Sequence, residues 1–105
     1  MAYPPYSRLI AVRIEGLHPE QTETVARELA RRMAQRLPPA SRGVRLLGPA
    51  PAPIRRIKGK TRWQLLLKGS TYSLLHGPVA AAEAYLPRVP ASVKVAIDVD
   101  PGAML

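Results

Sequence analysis

The central part of the chain, from Gly48 to Gly69, has the sequence GPAPAPIRRIKGKTRWQLLLKG. It joins a proline arm, a run of alternating cations and an apolar segment. The three prolines alternate with Ala, and because proline fixes φ and has no N–H, we expect the arm to be an extended, semi-rigid spacer. Val44 to Leu47 and Arg62 to Lys68 are expected to be strands on either side of the arm, paired as a hairpin.

The middle of this stretch carries five cations in eight residues. If the backbone is extended there, alternation with a period of two places four of them on one face, spaced ~6.6 Å apart. These four are Arg56, Lys58, Lys60 and Arg62. Such a row suits a polyphosphate backbone, and Arg55 completes the cations of a candidate DNA-binding set. The alternative is a solvated hairpin that keeps a basic protein in solution.

Gln64 belongs to the same candidate set. It lies on the cation face of the predicted strand, where it is expected to contact a base edge or sugar, or to make a cross-strand hydrogen bond. Trp63 lies on the opposite face, in register with Leu65 and Leu67. We therefore expect Trp63 to pack in the core and not to stack on a base.

Length and composition limit the function classes. The 105 residues suit one domain, and 16 Lys+Arg against 7 Asp+Glu give a net charge of +9, so nucleic acid is the first expected partner and acidic protein tails the second. With no Cys and two His far apart, no disulfide, metal or other cofactor is expected. No run of about 18 apolar residues and no signal-peptide pattern is present, so no membrane partner is expected and a cytoplasmic, nucleoid-associated location is predicted.

Hydrophobic periodicity predicts the fold. Leu9 to Glu15 and Val93 to Val99 alternate apolar and polar residues, as half-buried strands do. One helix is expected before the central hairpin and one after it. The order strand, helix, strand, strand, helix, strand predicts an α+β fold of the split βαβ, or ferredoxin-like, type, with a four-stranded sheet and two helices on one face.

Start and stop signals define both helices. Pro19 suits the first position of the first helix, and Pro38 ends it. Four arginines lie on its outer face, where a solvated surface is favoured over a second basic binding surface: Arg27, Arg31, Arg32 and Arg36. Thr71 is an N-cap candidate for the second helix, in which Pro78 is expected to cause a kink or a restart.

Enzymatic activity is not expected of this domain alone. Asp98 and Asp100 form the one carboxylate pair of note, with no His, Cys or third carboxylate near them in sequence. An acyl phosphatase, a small enzyme that shares the ferredoxin-like fold, would need a positioned Asn. The chain contains no Asn.

Three segments resemble the C-terminal domain of the primosomal replication-restart helicase family, primosomal protein N-prime (PriA). They are YPPYS at Tyr3 to Ser7, GPAPAPIRRIKGKTRWQLLL at Gly48 to Leu67, and DVDP at Asp98 to Pro101. The resemblance covers most of the chain, and the middle segment is its specific part. It implies the last domain of a larger ATP-dependent 3′–5′ DNA helicase, with residues 1–7 as the linker from the preceding helicase lobe, residues 8–101 as the domain and residues 102–105 as a tail.

The resemblance also implies a function. It implies a fold like that of a small-subunit ribosomal protein, binding of single-stranded or forked DNA during restart of stalled replication forks, and docking of the single-stranded-DNA-binding protein and of the parent helicase. Family members that dock the acidic tail of that protein use an Arg and a Gln one turn apart on the second helix. Here those positions are Tyr72 and His76, which with Lys68 form the candidate partner-docking set.

Two alternative functions remain open. One is a protein-docking module for helicase lobes or for the acidic tail, without direct DNA contact. Salt-sensitive binding to an acidic peptide but not to DNA would select it. The other is RNA binding, which rests on analogy of fold and which competition between DNA and RNA would decide.

Overall fold

A computed structural model describes residues 8–100 of the chain, except for the side chains of Arg55 and Arg56. The main elements in this part are β1 (Arg8–Gly16), α1 (Pro19–Ala34), β2 (Arg45–Ile57), β3 (Lys60–Gly69), α2 (Tyr72–Tyr85) and β4 (Val93–Val99). Short 3₁₀ turns follow α1 and α2, at Ala40–Arg42 and Leu86–Arg88. The predicted linker and tail, the YPPYS motif and Pro101 lie outside the described residues.

The four strands form one sheet in the order β2-β3-β1-β4, and every neighbouring pair is antiparallel. The predicted α+β class and order of elements are confirmed, and the strand order is compatible with the split βαβ arrangement. Both helices pack on one face of the sheet and against each other. No helix within residues 8–100 is long and apolar enough to span a bilayer.

Alternation along the two central strands separates a buried face from an open one. Ile10, Val12 and Ile14 of β1 lie opposite Leu67, Leu65 and Trp63 of β3, and all six side chains are buried beneath the helices. The helices complete this core with Val25, Ala26, Leu29, Met33, Leu75 and Ala82. The other face of the sheet, called the open face below, carries the alternate residues of the three strands: Ala11, Arg13, Glu15, Lys60, Arg62, Gln64, Leu66, Lys68, Lys94, Ala96 and Asp98.

The helix termini follow the sequence signals. Pro19 begins α1, and the Thr71 side chain caps α2 by accepting from the Leu74 N–H at 3.4 Å. Of the two outcomes expected at Pro78, the restart does not occur, because α2 runs unbroken through a buried Pro78. Close packing supports the helix there: a Cβ at Gly77 would lie 2.9 Å from the Arg36 carbonyl oxygen.

The proline arm differs from its prediction. It is not a spacer between two strands, since Arg45–Ile57 is one strand and the arm pairs with β3, with Ala50 opposite Gln64 and Pro51 opposite Trp63. The register shifts twice, between Leu47 and Ala50 and between Pro51 and Arg56. Edge strands tolerate proline and bulges because one side of the strand needs no donors, and β2 is an edge strand.

The predicted cation row is wrong. The chain reverses at Lys58 and Gly59, whose φ values of 53° and 80° suit the two central positions of a type I′ hairpin turn. The four residues of the row therefore occupy three places, with Arg56 in β2, Lys58 in the turn, and Lys60 and Arg62 in β3. Alternation along a single strand cannot hold across a reversal of the chain.

Two glycines with positive φ differ in how closely the chain packs around them, and the comparison tests how much the β2 bulge at Gly48 depends on close packing. Gly43 has φ 76° and a Cβ there would meet nothing within 4 Å, whereas Gly48 has φ 104° and a Cβ there would lie 2.7 Å from the Gln64 carbonyl oxygen. We expect Gly43→Ala to lower the free energy of unfolding by about 1–2 kcal/mol through backbone strain alone. Gly48→Ala should lower it further, because the β3 backbone cannot move aside. Urea unfolding compares the two, and equal midpoints would contradict the expectation.

Candidate nucleic-acid interface

Strand β3 brings together part of the candidate DNA-binding set. Lys60, Arg62 and Gln64 lie on the open face, half-buried, because they alternate with the buried Thr61 and Trp63. Lys58 is exposed at the tip of the hairpin. The side chains of Arg55 and Arg56 lie outside the described part of the chain. The hairpin therefore presents cations at its tip and along the open face of β3.

A carboxylate that the sequence analysis missed lies among these cations. Glu15 of β1 is opposite Arg62 on one side and opposite Lys94 on the other. Its oxygens are 3.6 Å from the Lys60 Nζ and 3.9 Å from the Arg62 Nε. Exposed pairs of this kind contribute roughly 0–1 kcal/mol each. One carboxylate among three cations leaves this part of the open face net positive.

The two carboxylates of the DVDP motif have separate structural partners. Asp98 lies on the open face and forms an ion pair with Arg13 across β1 and β4. Asp100 instead accepts hydrogen bonds from the Leu9 N–H of β1 and the Tyr72 hydroxyl of α2, at the end of the sheet. Within residues 8–100, no three His, Cys, Asp or Glu side chains are grouped so that they could hold a metal ion.

A cavity of about 760 Å³ lies over the open face. Arg13, Glu15, Arg62 and Gln64 line it from the two central strands, and β4 lines it with Lys94 to Ala96. The bulged segment of β2, Ala52 to Ile54, lines the opposite side. The Arg62 guanidinium donates to the Ile54 carbonyl oxygen at 3.3 Å, which ties this segment to the sheet. We call this cavity the open-face groove.

The outer face of α1 is charged but largely compensated. Arg27 pairs with Glu23 at 2.7 Å, while Arg31 and Arg32 share Glu28 at 2.5 and 2.6 Å. Hydrogen bonds from Arg31 and then Arg32 lower the pKa of Glu28 to about 2. This face therefore offers less uncompensated positive charge than the hairpin does.

The candidate partner-docking set does not form one surface. Tyr72 and His76 are exposed one turn apart on α2. Lys68 lies on the open face of β3, opposite Leu9. Because α2 covers the other face of the sheet, the structure does not bring Lys68 together with the two helix residues.

Tyr72 takes part in a cluster that ties three elements together. Its hydroxyl donates to the Asp100 carboxylate, which also accepts from the Leu9 N–H at 2.8 Å. The Arg8 guanidinium lies 3.9 Å from the same carboxylate and 5.0 Å from the centre of the Tyr72 ring. The Tyr72 hydroxyl, then the Leu9 N–H, lowers the pKa of Asp100, and Asp100 in turn raises the pKa of Tyr72. The cluster fixes the end of β4 to the start of β1 and of α2.

Trp63 occupies the core, as predicted, and only 7% of it is exposed. It is therefore closed to base stacking. Its indole nitrogen and the Thr61 hydroxyl are buried without a hydrogen-bond partner among the described residues. The sequence gives no signal for these two unpaired groups.

Comparisons with known proteins place the chain in one family. The family described as the primosomal protein N C-terminal domain matches residues 1–102. The replication restart protein PriA of Synechocystis sp. is 39% identical over 99 residues, which are 94% of this chain and 11% of that protein. The chain thus spans only a small part of that relative.

Similar solved structures show the fold alone, because their sequence identities are low. The de novo designed protein Foldit4 matches with a TM-score of 0.65 and 10% identity, covering 90% of this chain and 96% of that one. A hydantoinase/carbamoylase family amidase from Burkholderia ambifaria matches with a TM-score of 0.51 and 19% identity, covering 88% of this chain and 27% of that one.

The Tyr72 cluster predicts a raised pKa for Tyr72, and one substitution should remove this shift. Tyr72 should titrate above its usual pKa of 10.0, and Asp100→Asn should bring the value back towards 10.0 because the carboxylate that favours the neutral phenol is gone. The folded state favours the neutral phenol of Tyr72. The stability that this hydrogen bond contributes is therefore present below pH 10 and is lost as pH rises through the Tyr72 pKa of the folded state.

An NMR titration of the Tyr72 ring measures both values. Asp98→Asn is the matched control, since that carboxylate lies on the open face beside Arg13. A Tyr72 pKa that responds equally to the two substitutions would contradict the assignment.

Proposed function

Since the chain belongs to the family of primosomal protein N C-terminal domains, we propose that it is a DNA-binding and partner-docking domain of a PriA-like replication restart protein. It would act at stalled forks in the cytoplasm, on nucleoid DNA, with no chemistry of its own. ATP-dependent helicase activity would belong to the rest of the parent protein. The family and the name of the Synechocystis relative support the restart setting.

The concentration of positive charge on the hairpin and the open face supports DNA binding. Lys58 at the tip and Lys60, Arg62 and Lys94 on the open face have one nearby carboxylate, Glu15. Arg55 and Arg56 add two further charges to the same hairpin by sequence. On α1, by contrast, each of three arginines has a carboxylate within 2.7 Å. A polyanion is therefore attracted to the hairpin side more than to the helix side.

Binding of this kind is electrostatic and weakly sequence-specific. Lys and Arg that neutralise phosphates release counterions, and each contact adds about −0.7 to the slope of log affinity against log salt for a single strand. Four contacts would give a slope of roughly −2.8. So few contacts give weak binding at physiological salt, and neighbouring domains would strengthen it through avidity.

Docking of an acidic tail or of the helicase lobes is the second candidate. The observation that favours it is the Arg8 guanidinium, which lies 5.0 Å from the centre of the exposed Tyr72 ring and so places a cation beside α2. Tyr72 and His76 would contribute from the helix. Lys68 lies on the other face of the sheet and would act separately.

A charge-matched pair of variants tests the DNA surface. We expect replacing Lys58, Lys60 and Arg62 together by Gln to weaken binding to single-stranded DNA and to flatten the salt slope by about 2, since three contacts are removed. Replacing the exposed Arg36, Arg42 and Arg88 by Gln removes the same charge elsewhere. This control should change the slope far less.

Fluorescence anisotropy over a salt series, with single-stranded, forked and duplex DNA, gives the slopes. Equal losses in the two variants would mean that net charge and not the hairpin carries the binding. If the native chain binds an acidic peptide but none of the DNA forms, protein docking replaces the proposal. RNA of the same sequence, added as competitor, tests the RNA-binding alternative.

A further inference from the structure

We propose that the open-face groove holds an unpaired nucleotide of single-stranded DNA, with its phosphate beside Lys60, Arg62 and Lys94, where Glu15 lies in the free domain. The inference rests on the proposed DNA binding. Beyond that function, it specifies that the DNA is single-stranded and that one nucleotide lies in the groove. It also gives Glu15 the role of an internal anion that competes with phosphate.

The ion pairs of Glu15 leave donors available. Charge-assisted hydrogen bonds between N–H groups and carboxylates are ~2.7–2.9 Å long. The Glu15 oxygens are 3.6 Å from the Lys60 Nζ and 3.9 Å from the Arg62 Nε, so both pairs are too long for such bonds. The ammonium group and the remaining guanidinium N–H groups can therefore turn to another acceptor. A phosphate, with its several acceptor oxygens, satisfies more of these donors than one carboxylate does.

Apolar surface lies directly beside these cations. Ala52, Pro53 and Ile54 line the β2 side of the groove, with 58% of Ile54 exposed, and Ala96 lines the β4 side. A ligand that fits must therefore carry an anionic group next to a flat or apolar body. An unpaired nucleotide has both within one residue. In a duplex the base faces are covered by stacking, so a duplex can offer its phosphates to the cations but no base face to the apolar side of the groove.

The groove also has a polar group suited to a base edge and a suitable size. Gln64 lines the groove two residues from Arg62 along β3, and its side chain is half-buried. An amide offers both a donor and an acceptor, which is the pattern that base edges present. The volume of about 760 Å³ falls within the ~300–1,000 Å³ typical of small-ligand clefts.

The first test removes the competing anion. Glu15→Gln should raise the affinity for a labelled oligo-dT several-fold at low salt, because the Glu15 carboxylate no longer competes with phosphate for Lys60 and Arg62. Glu23→Gln is the matched control: it makes the same change in net charge at an ion pair on α1. It should raise affinity by less than twofold. Equal effects of the two substitutions would overturn the role of Glu15.

The second test fills the groove without changing charge. Ala96→Leu adds bulk at an exposed position on the groove side of β4, and Ala84→Leu adds the same bulk at an exposed position on α2. Ala96→Leu should weaken oligo-dT binding at least threefold and leave binding of a duplex of equal length unchanged. Ala84→Leu should change neither. Circular dichroism and thermal unfolding of all four variants confirm that each is folded.

The outcomes separate this inference from the proposed function. If the native chain binds no DNA, both fail. If it binds DNA and the hairpin variant weakens binding, but Glu15→Gln matches Glu23→Gln and Ala96→Leu matches Ala84→Leu, only the groove inference fails. If Ala96→Leu weakens duplex binding as much as single-strand binding, the ligand is not an unpaired nucleotide. If the affinity for an acidic peptide, and not the affinity for DNA, changes among the four variants in the expected way, the groove is a protein-docking site.

Discussion

The alternation along β3 determines what the rest of the molecule can do. From Thr61 to Gly69 every second residue is buried, and the helices cover Trp63, Leu65 and Leu67. A slip of one residue in the pairing of β3 would expose those three side chains and bury Lys60, Arg62 and Gln64. Burial of each large apolar side chain contributes about 1.5–3 kcal/mol, so the packing of one face fixes which polar groups appear on the other. The cations reach the open face because the core holds β3 in register.

The other strands turn that charged face into a groove. β1 lies between β3 and β4 and supplies Arg13 and Glu15, while β2, at the edge, carries the bulged proline segment. Prolines that weaken a central strand are tolerated at an edge, and they also discourage a further strand from pairing there. The arm that looks like a spacer in the sequence is thus an edge strand that closes one side of the open face.

The sequence predicts those features that depend on local periodicity or on strong end signals. The start of α1 at Pro19, the strand character of Val93 to Val99 and the burial of Trp63 all follow from such patterns, and the structure agrees. The reversal at Lys58 and Gly59 was missed because Lys-Gly is a weaker turn signal than Asn-Gly or Asp-Gly, so the alternating cations gave the appearance of one continuous strand. The two register shifts in β2 depend on its pairing with β3, which no local pattern encodes.

Contacts between distant residues were missed for a different reason. Tyr72 and Asp100 are 28 residues apart, and their hydrogen bond exists only because β4 ends beside the start of α2. The contacts of Glu15 are also made by residues distant in sequence, since its neighbours come from β3 and β4. In the structure β1 lies between those strands, so Glu15 is identified by register once the order of strands in the sheet is known. The Tyr72 contact lies beyond the sheet and needs the three-dimensional structure.

If the domain binds DNA as proposed, the position of Glu15 meets two opposed electrostatic demands. Lys60 and Arg62 on β3 and Lys94 on β4 flank β1, and these like charges repel one another when no anion lies between them. A carboxylate among them relieves this repulsion in the free domain, although it also lowers the attraction for phosphate. Because its ion pairs are long and partly exposed, little free energy is lost when another anion replaces it. The domain can therefore remain folded without DNA, and in the proposed complex these cations can turn to a phosphate, which a short, buried ion pair at the same place would oppose.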